Sequence, residues 1–315
     1  MLIILIYLMD NQLYLSICIP TDGAVKWVLP VIDSIYSESV DNSLFEVVIT
    51  DNGKNSDLPN YLSKYNYPNL RYIPKKEEGF LNLVASLKEG NGLFCKMQNH
   101  RNILLPGTIS KWIELIKKYE DTQPIFYFAD GNAKGDDVIE CGDLDSFMQK
   151  LSYWASWSAG IGFWKKDIVN IDNLSLNNMF PNASLLFELR KSSKYVIFNQ
   201  KYQIMGDETG KGGYDVFYTF CVSFLDILNE LRCNGRITDK TFVLIKKDLF
   251  GFMTGVFQRE VILPTKHTFI LSDIKDSIAV YYGDNYYYLM CLWAFITLPI
   301  TIFEHIRKKI SNALC

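Results

Sequence analysis

The sequence predicts an α/β fold, with a mostly parallel sheet flanked by helices and a helical C-terminal region. Three observations carry this. Leu15–Thr21 (LSICIPT) and Phe45–Gly53 (FEVVITDNG) are short, nearly continuous apolar runs that stop at small or polar residues. That is the pattern of strands covered on both faces. Between them, Val28, Val31, Ile32 and Ile35 recur at the i, i+3, i+4, i+7 spacing of one helix face. Beyond Asn170 the pattern turns helical, over Ala183–Lys191, Tyr214–Cys233 and Thr238–Val261.

Strand, helix and strand in this order form a βαβ unit. Ser56–Tyr65 then reads as a short helix and Leu70–Ile73 as a third strand ended by Pro74; Lys75–Glu78 is a solvated turn. Phe80–Lys88 is expected to be helical and Leu93–Met97 a fourth strand, followed by a polar loop at Gln98–Asn102. Pro106 is expected to start a helix carrying Ile109, Trp112, Ile113 and Ile116. Ile125–Ala129 is a fifth strand running into Asp130-Gly131-Asn132, and Gly135–Asp145 reads as an acidic loop, flexible by composition. Tyr153–Trp164 is rich in aromatic and small residues, Tyr195–Met205 is strand-like, and Gly206–Gly213 reads as a mobile polar loop. No internal repeat is visible.

The 315 residues have room for one large domain, or a domain with an appendage, and a hydrophobic content of 49% is ample for a core. A net charge of −3 gives no nucleic-acid footprint. Seven scattered cysteines, odd in number and without a Cys-x-x-Cys pair, support neither zinc nor a disulfide framework and fit a reducing cytosol. The N-terminal MLIILIYLMD has no basic n-region and no small-residue cleavage site, so it is not expected to be a signal; Met9 reads as an alternative start. The aromatic content of 14% fits sugar-handling surfaces and ordinary cores equally.

Tyr286–Phe303 (YYYLMCLWAFITLPITIF) carries no charge and is followed by Arg307, Lys308 and Lys309. As a helix it would be about 27 Å long, against roughly 30 Å of hydrocarbon. Aromatic residues at its start and cations after it suit a membrane interface. An interfacial anchor, a single span and a buried helix all remain open, and a membrane surface met through residues 286–311 is the expected partner.

In open α/β sheets, ligands bind beyond the carboxyl ends of the strands. Pro20, Thr21 and Asp22 lie there after the first strand, and Asp51, Asn52 and Gly53 after the second. Asp51 suits a ribose or a base edge; as part of an Asp-Asn-Gly turn it suits capping equally well.

The stretch Ser16–Thr21, Asp33–Ile35 and Val47–Asp57 resembles the opening of family-2 glycosyltransferases of the GT-A fold. Asn82 and the Leu-Leu-Pro-Gly segment within Ile103–Ile109 match further family positions in order. The likeness fades after about residue 170 and is closest in kind to bacterial O-antigen and capsule sugar transferases. It implies an N-terminal extension over 1–12, a GT-A domain over 13–235, and a helical, membrane-associating region over 236–315. It also implies transfer, with inversion, from a nucleotide sugar such as a UDP-sugar to a lipid-linked saccharide in bacterial surface-polysaccharide synthesis. The protein would then work in the cytoplasm, at the inner face of the cell membrane. Pro20, Thr21, Asp22, Asp51, Asn52, Gly53 and Asn82 would bind the nucleotide, and Trp154 and Trp157 would lie by the acceptor. A nucleotidyltransferase would want a Gly-rich, cationic loop after the first strand, and Thr21–Ala24 has a single glycine.

Glycosyl transfer must hold the nucleotide, stabilise the leaving diphosphate and deprotonate an acceptor hydroxyl. The family usually meets the second need with Mg²⁺ or Mn²⁺ on an Asp-x-Asp motif, whose counterpart here reads Asn99-His100-Arg101-Asn102. Three readings follow. His100 and Asn102 hold a divalent cation; Arg101 replaces it, since a guanidinium pairs with phosphate oxygens; or the site is dead. The family's base position falls near Asn182, which cannot act as a base. Glu188 is the nearest carboxylate and the candidate base, while Asp130, Asp136, Asp137, Asp207 and Glu208 lie in expected loops. The alternative reading is a catalytically inactive, glycosyltransferase-fold partner of an active transferase. His267 and His305 read as structural or surface residues.

Overall fold

The computed structural model describes residues 12–190, 194–206, 208–263 and 266–314, with side chains as far as Phe303. All but Gln12 of the expected N-terminal extension, together with Asp207 and the side chains of Arg307, Lys308 and Lys309, lies outside the described residues. The chain forms two compact units, Met1–Asp207 and Glu208–Cys315, so the boundary expected at 235/236 falls inside the second unit.

In the first unit the apolar runs become β1 (Leu15–Thr21) and β2 (Phe45–Asp51), paired in parallel from Leu15↔Phe45 to Thr21↔Asp51. Every residue of β2 is buried. The intervening α1 (Val25–Tyr36) buries Val28, Val31, Ile32 and Ile35, the four positions picked out by their spacing. β3 (Leu70–Pro74) and β4 (Phe94–Met97) join in parallel on either side, and β8 (Gly162–Trp164) closes the sheet antiparallel to β4. The strand order is β3-β2-β1-β4-β8. α2 (Leu58–Leu62), α3 (Asn82–Glu89) and α4 (Thr108–Tyr119) connect these strands. α4 lays Ile109, Trp112, Ile113 and Ile116 into one core with α1, β1 and β2. Fully burying each such side chain stabilises by about 1.5–3 kcal/mol.

β5 (Asn102–Leu104) pairs antiparallel with β10 (Gln203–Met205). β6 (Ile125–Phe128) pairs in parallel with β9 (Tyr195–Phe198), which also pairs antiparallel with β7 (Val138–Cys141). An antiparallel bridge from Tyr127 to Ile161 leads from β6 to the first sheet. α5 (Leu144–Leu151) and α6 (Pro181–Glu188) complete the unit.

Several local expectations need correction. The acidic segment 135–145 is no simple loop, because it holds β7. A four-residue strand made by pairing with β9 has no signal in its own composition. The helix expected over Ser56–Tyr65 shortens to α2, with Pro59 in its first turn. Pro106 does not open α4; Gly107, at φ +85°, turns the chain and the helix starts at Thr108. The strand-like stretch Tyr195–Met205 splits into β9 and β10 at a turn where the Asp130 carboxylate accepts the Tyr202 and Gln203 N–H groups, at 2.7 and 3.2 Å.

In the second unit β11 (Gly212–Asp215) pairs with β12 (Thr268–Ile270), so the polar loop expected over 206–213 ends in a strand. Val216–Tyr218, a π-helical stretch over Thr219–Phe224, and α7 (Leu225–Cys233) follow without a break. Then come α8 (Asp239–Phe257), α9 (Ile274–Tyr282) and α10 (Tyr286–Leu314).

Candidate functional site

The carboxyl ends of β1, β2 and β4 meet at one edge, and buried polar side chains tie them there. Asn82, at the start of α3, donates its amide to the carbonyls of Thr21 (3.1 Å) and Thr50 (2.9 Å). Asp51 is 2% exposed; its Oδ1 accepts the Gly53 N–H at 2.8 Å and its Oδ2 the Tyr72 hydroxyl at 2.9 Å. Burial first, and then the bond to Asp51, push the Tyr72 phenol up to about 12, so it stays a donor. Asn52 donates to Glu77 O at 2.7 Å. Gly53 must be glycine, because an added Cβ would lie 2.1 Å from Asp22 O. The turn-capping role of Asp51 is therefore real.

The turn after β4 carries Asn99, His100, Arg101 and Asn102. Gln98 anchors it: its N–H bonds Cys18 O at 2.8 Å, and its side chain reaches Asn102 O (2.7 Å) and Gln203 Oε1 (3.1 Å). The His100 ring is thereby brought to β1, with Nδ1 2.8 Å from Thr21 Oγ1 and 3.9 Å from Asp22 Oδ1. Desolvation pulls His100 down to about 4, against the opposing pull of Asp22, so the imidazole is neutral at pH 7. The Arg101 guanidinium lies over Trp27, 3.1 Å from the ring centre, and the His100 ring is 5.5 Å from the same indole. Pro20 and Asp22 flank Thr21, with Asp22 65% exposed at its side chain.

Trp154 and Trp157 form an edge-to-face pair at 6.1 Å. Tyr127 fixes the segment from below, its hydroxyl donating to the carbonyls of Trp154 and of Trp157 (3.1 Å). The fully buried Lys96 of β4 donates to Met97 O at 2.7 Å and Ala159 O at 2.5 Å. Asn182, in the first turn of α6, donates to Ser156 O at 2.8 Å. Glu188 is not brought to this edge. It ends α6, and Arg190 two residues on donates to Gln123 O at 2.6 Å, just before β6 begins. The Tyr127–Ile161 bridge and the β4–β8 pairing make β6 run with β4, so the start of β6 marks the opposite edge.

Residue types alone did not single out Trp27, Tyr72 or Gln98. Trp27 had one usable signal, an indole in the first turn of α1 but off its buried stripe. The donors for a divalent cation are poor: a histidine nitrogen already bonded to Thr21, an Asn102 that is 4% exposed, and no carboxylate in the turn. Among the described residues no group of three or more His, Cys, Asp or Glu is arranged to hold a metal. The turn residues do not fit the cation.

No protein-family model matches the chain, and no curated protein matches it significantly in sequence. Solved structures do. S. aureus TarS 1–349 in complex with UDP-GlcNAc is similar at a TM-score of 0.56 and 15% identity, covering 79% of this chain and 76% of that one. The mannosyltransferase PcManGT from Pyrobaculum calidifontis, in complex with GDP-Man and Mn²⁺, is similar at 0.51 and 11%, covering 91% and 81%. Against the longer TarS chain, at a TM-score of 0.53, this chain spans 46% of the length. The central, mostly parallel sheet flanked by helices is shared with these structures, one of them a mannosyltransferase. The chain therefore has a glycosyltransferase fold.

Proposed function

We propose that the chain is an inverting glycosyltransferase that moves a sugar from a nucleotide donor, taken as a UDP-sugar, to a lipid-linked saccharide in bacterial surface-polysaccharide synthesis. The observation that carries this is the edge where Thr21, Asp51, His100 and Arg101 converge, at the carboxyl ends of parallel strands. Thr21 and Asp51, at strand ends that Asn82 ties through the Thr21 and Thr50 carbonyls, meet the nucleoside. Arg101 takes the charge that develops on the leaving diphosphate, and neutral His100 adds a hydrogen-bonding nitrogen. Trp154 and Trp157 offer flat apolar faces to the acceptor sugar. In the step itself the acceptor oxygen bonds to the anomeric carbon, its proton passes to a base, and the bond to the diphosphate oxygen breaks.

A specific observation favours a second reading. The helix start beside the tryptophan pair holds Asn182, which accepts no proton, and Glu188 ends the helix near the other edge. A partner protein that binds a nucleotide sugar without transferring it fits this arrangement.

Calorimetry with UDP, GDP, CMP and dTDP, each in EDTA and in Mn²⁺, tests the donor site. Binding of one nucleotide equally in both media is expected. Strengthening by Mn²⁺ would return the cation to His100 and Asn102. No binding in either medium would overturn both readings of the site, and binding without product from any donor would leave the second.

A further inference from the structure

We infer that α10 lies in the plane of a phospholipid surface as an interfacial helix and does not cross the bilayer. The inference deepens the membrane-facing part of the reading above and rests on that part, not on the chemistry. Over Tyr286–Phe303 only 11% of the apolar segment is buried inside the protein. What is covered is one narrow stripe, with Met290 and Ala294 fully buried and Thr297 and Thr301 half-buried at helical spacing. The rest of the circumference presents large apolar side chains: Leu292 is 59% exposed, Phe295 63%, Ile300 62% and Phe303 68%. An uncharged face of this size needs a cover.

The covered stripe decides between lying and crossing. Gln258, just past α8 and 3% exposed, donates its amide to Ala294 O and Thr297 Oγ1, each at 2.8 Å, and accepts the Thr301 hydroxyl at 2.9 Å. Phe250 of α8 meets Tyr286 at 5.5 Å between ring centres. The charged α8 segment is thus fastened along α10 from its first turn to past its middle. If α10 crossed the membrane, Gln258 and the exposed Arg259 beside it would be carried to the depth of Ala294–Thr301, inside the hydrocarbon. Lying flat, α10 sinks its free face to the headgroup boundary and leaves Gln258 and Arg259 on the water side. The sequence agrees: Tyr286, Tyr287 and Tyr288 open the segment, and Arg307, Lys308 and Lys309 follow it, suited to anionic headgroups.

The test uses the full chain and vesicles of phosphatidylcholine with phosphatidylglycerol. The protein should co-float with them, and the exposed-face variant Leu292→Lys/Ile296→Lys should lose at least ten-fold in bound fraction while its circular dichroism is unchanged. Environment-sensitive labels follow, one at a time, at Leu289, Ile296 and Phe303, with Cys233, Cys291 and Cys315 replaced by serine. All three should report one shallow depth. Ile296 at the bilayer centre, with Leu289 and Phe303 shallow on opposite sides, would show a span and overturn the inference. So would failure of the wild type to float, including a self-association that persists with vesicles. Nucleotide calorimetry on the same preparation reads the donor site separately, so either can fail alone.

Discussion

His100 Nδ1 lies 2.8 Å from Thr21 Oγ1, which joins the turn after β4 to the end of β1. Burial holds this histidine down at about 4, against a usual value near 6.5. Between those values the unfolded chain binds a proton that the folded chain does not, so stability falls as pH drops from 6.5 towards 4. The loss by pH 5 is about 2 kcal/mol. Thermal melts at pH 7 and pH 5 should therefore differ more for the wild type than for His100→Gln, which cannot titrate. Equal pH dependence in both would show that His100 is not buried as described.

Lys96 shows the same effect at alkaline pH. Its ammonium is fully buried against two carbonyls and the faces of Trp112 and Phe128, and desolvation brings it down to about 7. Above that pH the folded chain has lost a proton that the unfolded chain keeps up to about 10.4. Stability should then rise by about 2 kcal/mol from pH 7 to pH 9 from this residue alone. The Lys96→Met variant should lack that rise, and urea titrations at the two pH values measure it.

How much of this was legible in sequence follows from how local each signal is. The β1–α1–β2 unit and the stripe of α4 were readable, because buried strands and amphipathic helices write their periods into short windows. Thr21 and Asp51 were legible from their place at the strand ends and Asn82 from family likeness, and the structure ties the two strand ends through the one Asn82 amide. β7 was invisible, since it exists only through pairing with β9. The Arg101–Trp27 stack was invisible for the same reason: 74 positions separate the two residues, and only the βαβ fold brings the helix after β1 to the turn after β4.

Asn82 is the clamp of the nucleotide edge. Asn82→Ala removes both amide hydrogen bonds, at about 0.5–1.5 kcal/mol each, while the Thr21 carbonyl keeps the Asn52 N–H at 3.0 Å. Asn82→Asp should be worse, with a carboxylate facing two carbonyls. Denaturant midpoints should rank wild type above Asn82→Ala above Asn82→Asp. An Asp variant as stable as wild type would refute the clamp.

Arg101 should carry diphosphate binding. Arg101→Glu is expected to weaken UDP by more than ten-fold and uridine hardly at all, since only the charged part of the ligand is affected. Arg101→Lys should fall between, because it keeps the charge and loses the guanidinium's contact with Trp27. Calorimetry of UDP and uridine side by side checks this; equal losses for both would place Arg101 away from the diphosphate.

Asn182 offers the sharpest contrast between a transferase and a silent partner. Its amide donates to Ser156 O at 2.8 Å in the first turn of α6, beside the Trp154–Trp157 pair, and it is 4% exposed. Asn182→Asp loses that donor and sets a carboxylate against a carbonyl, at a cost of about 1–3 kcal/mol, partly offset by the helix N-terminus. In return it places a proton acceptor where the fold has none. A positioned general base is worth about 10²–10⁴ in rate. Turnover of the donor in the presence of a saccharide acceptor should therefore rise by at least ten-fold over wild type, with nucleotide affinity unchanged. Unchanged turnover together with intact binding would move the base away from the start of α6.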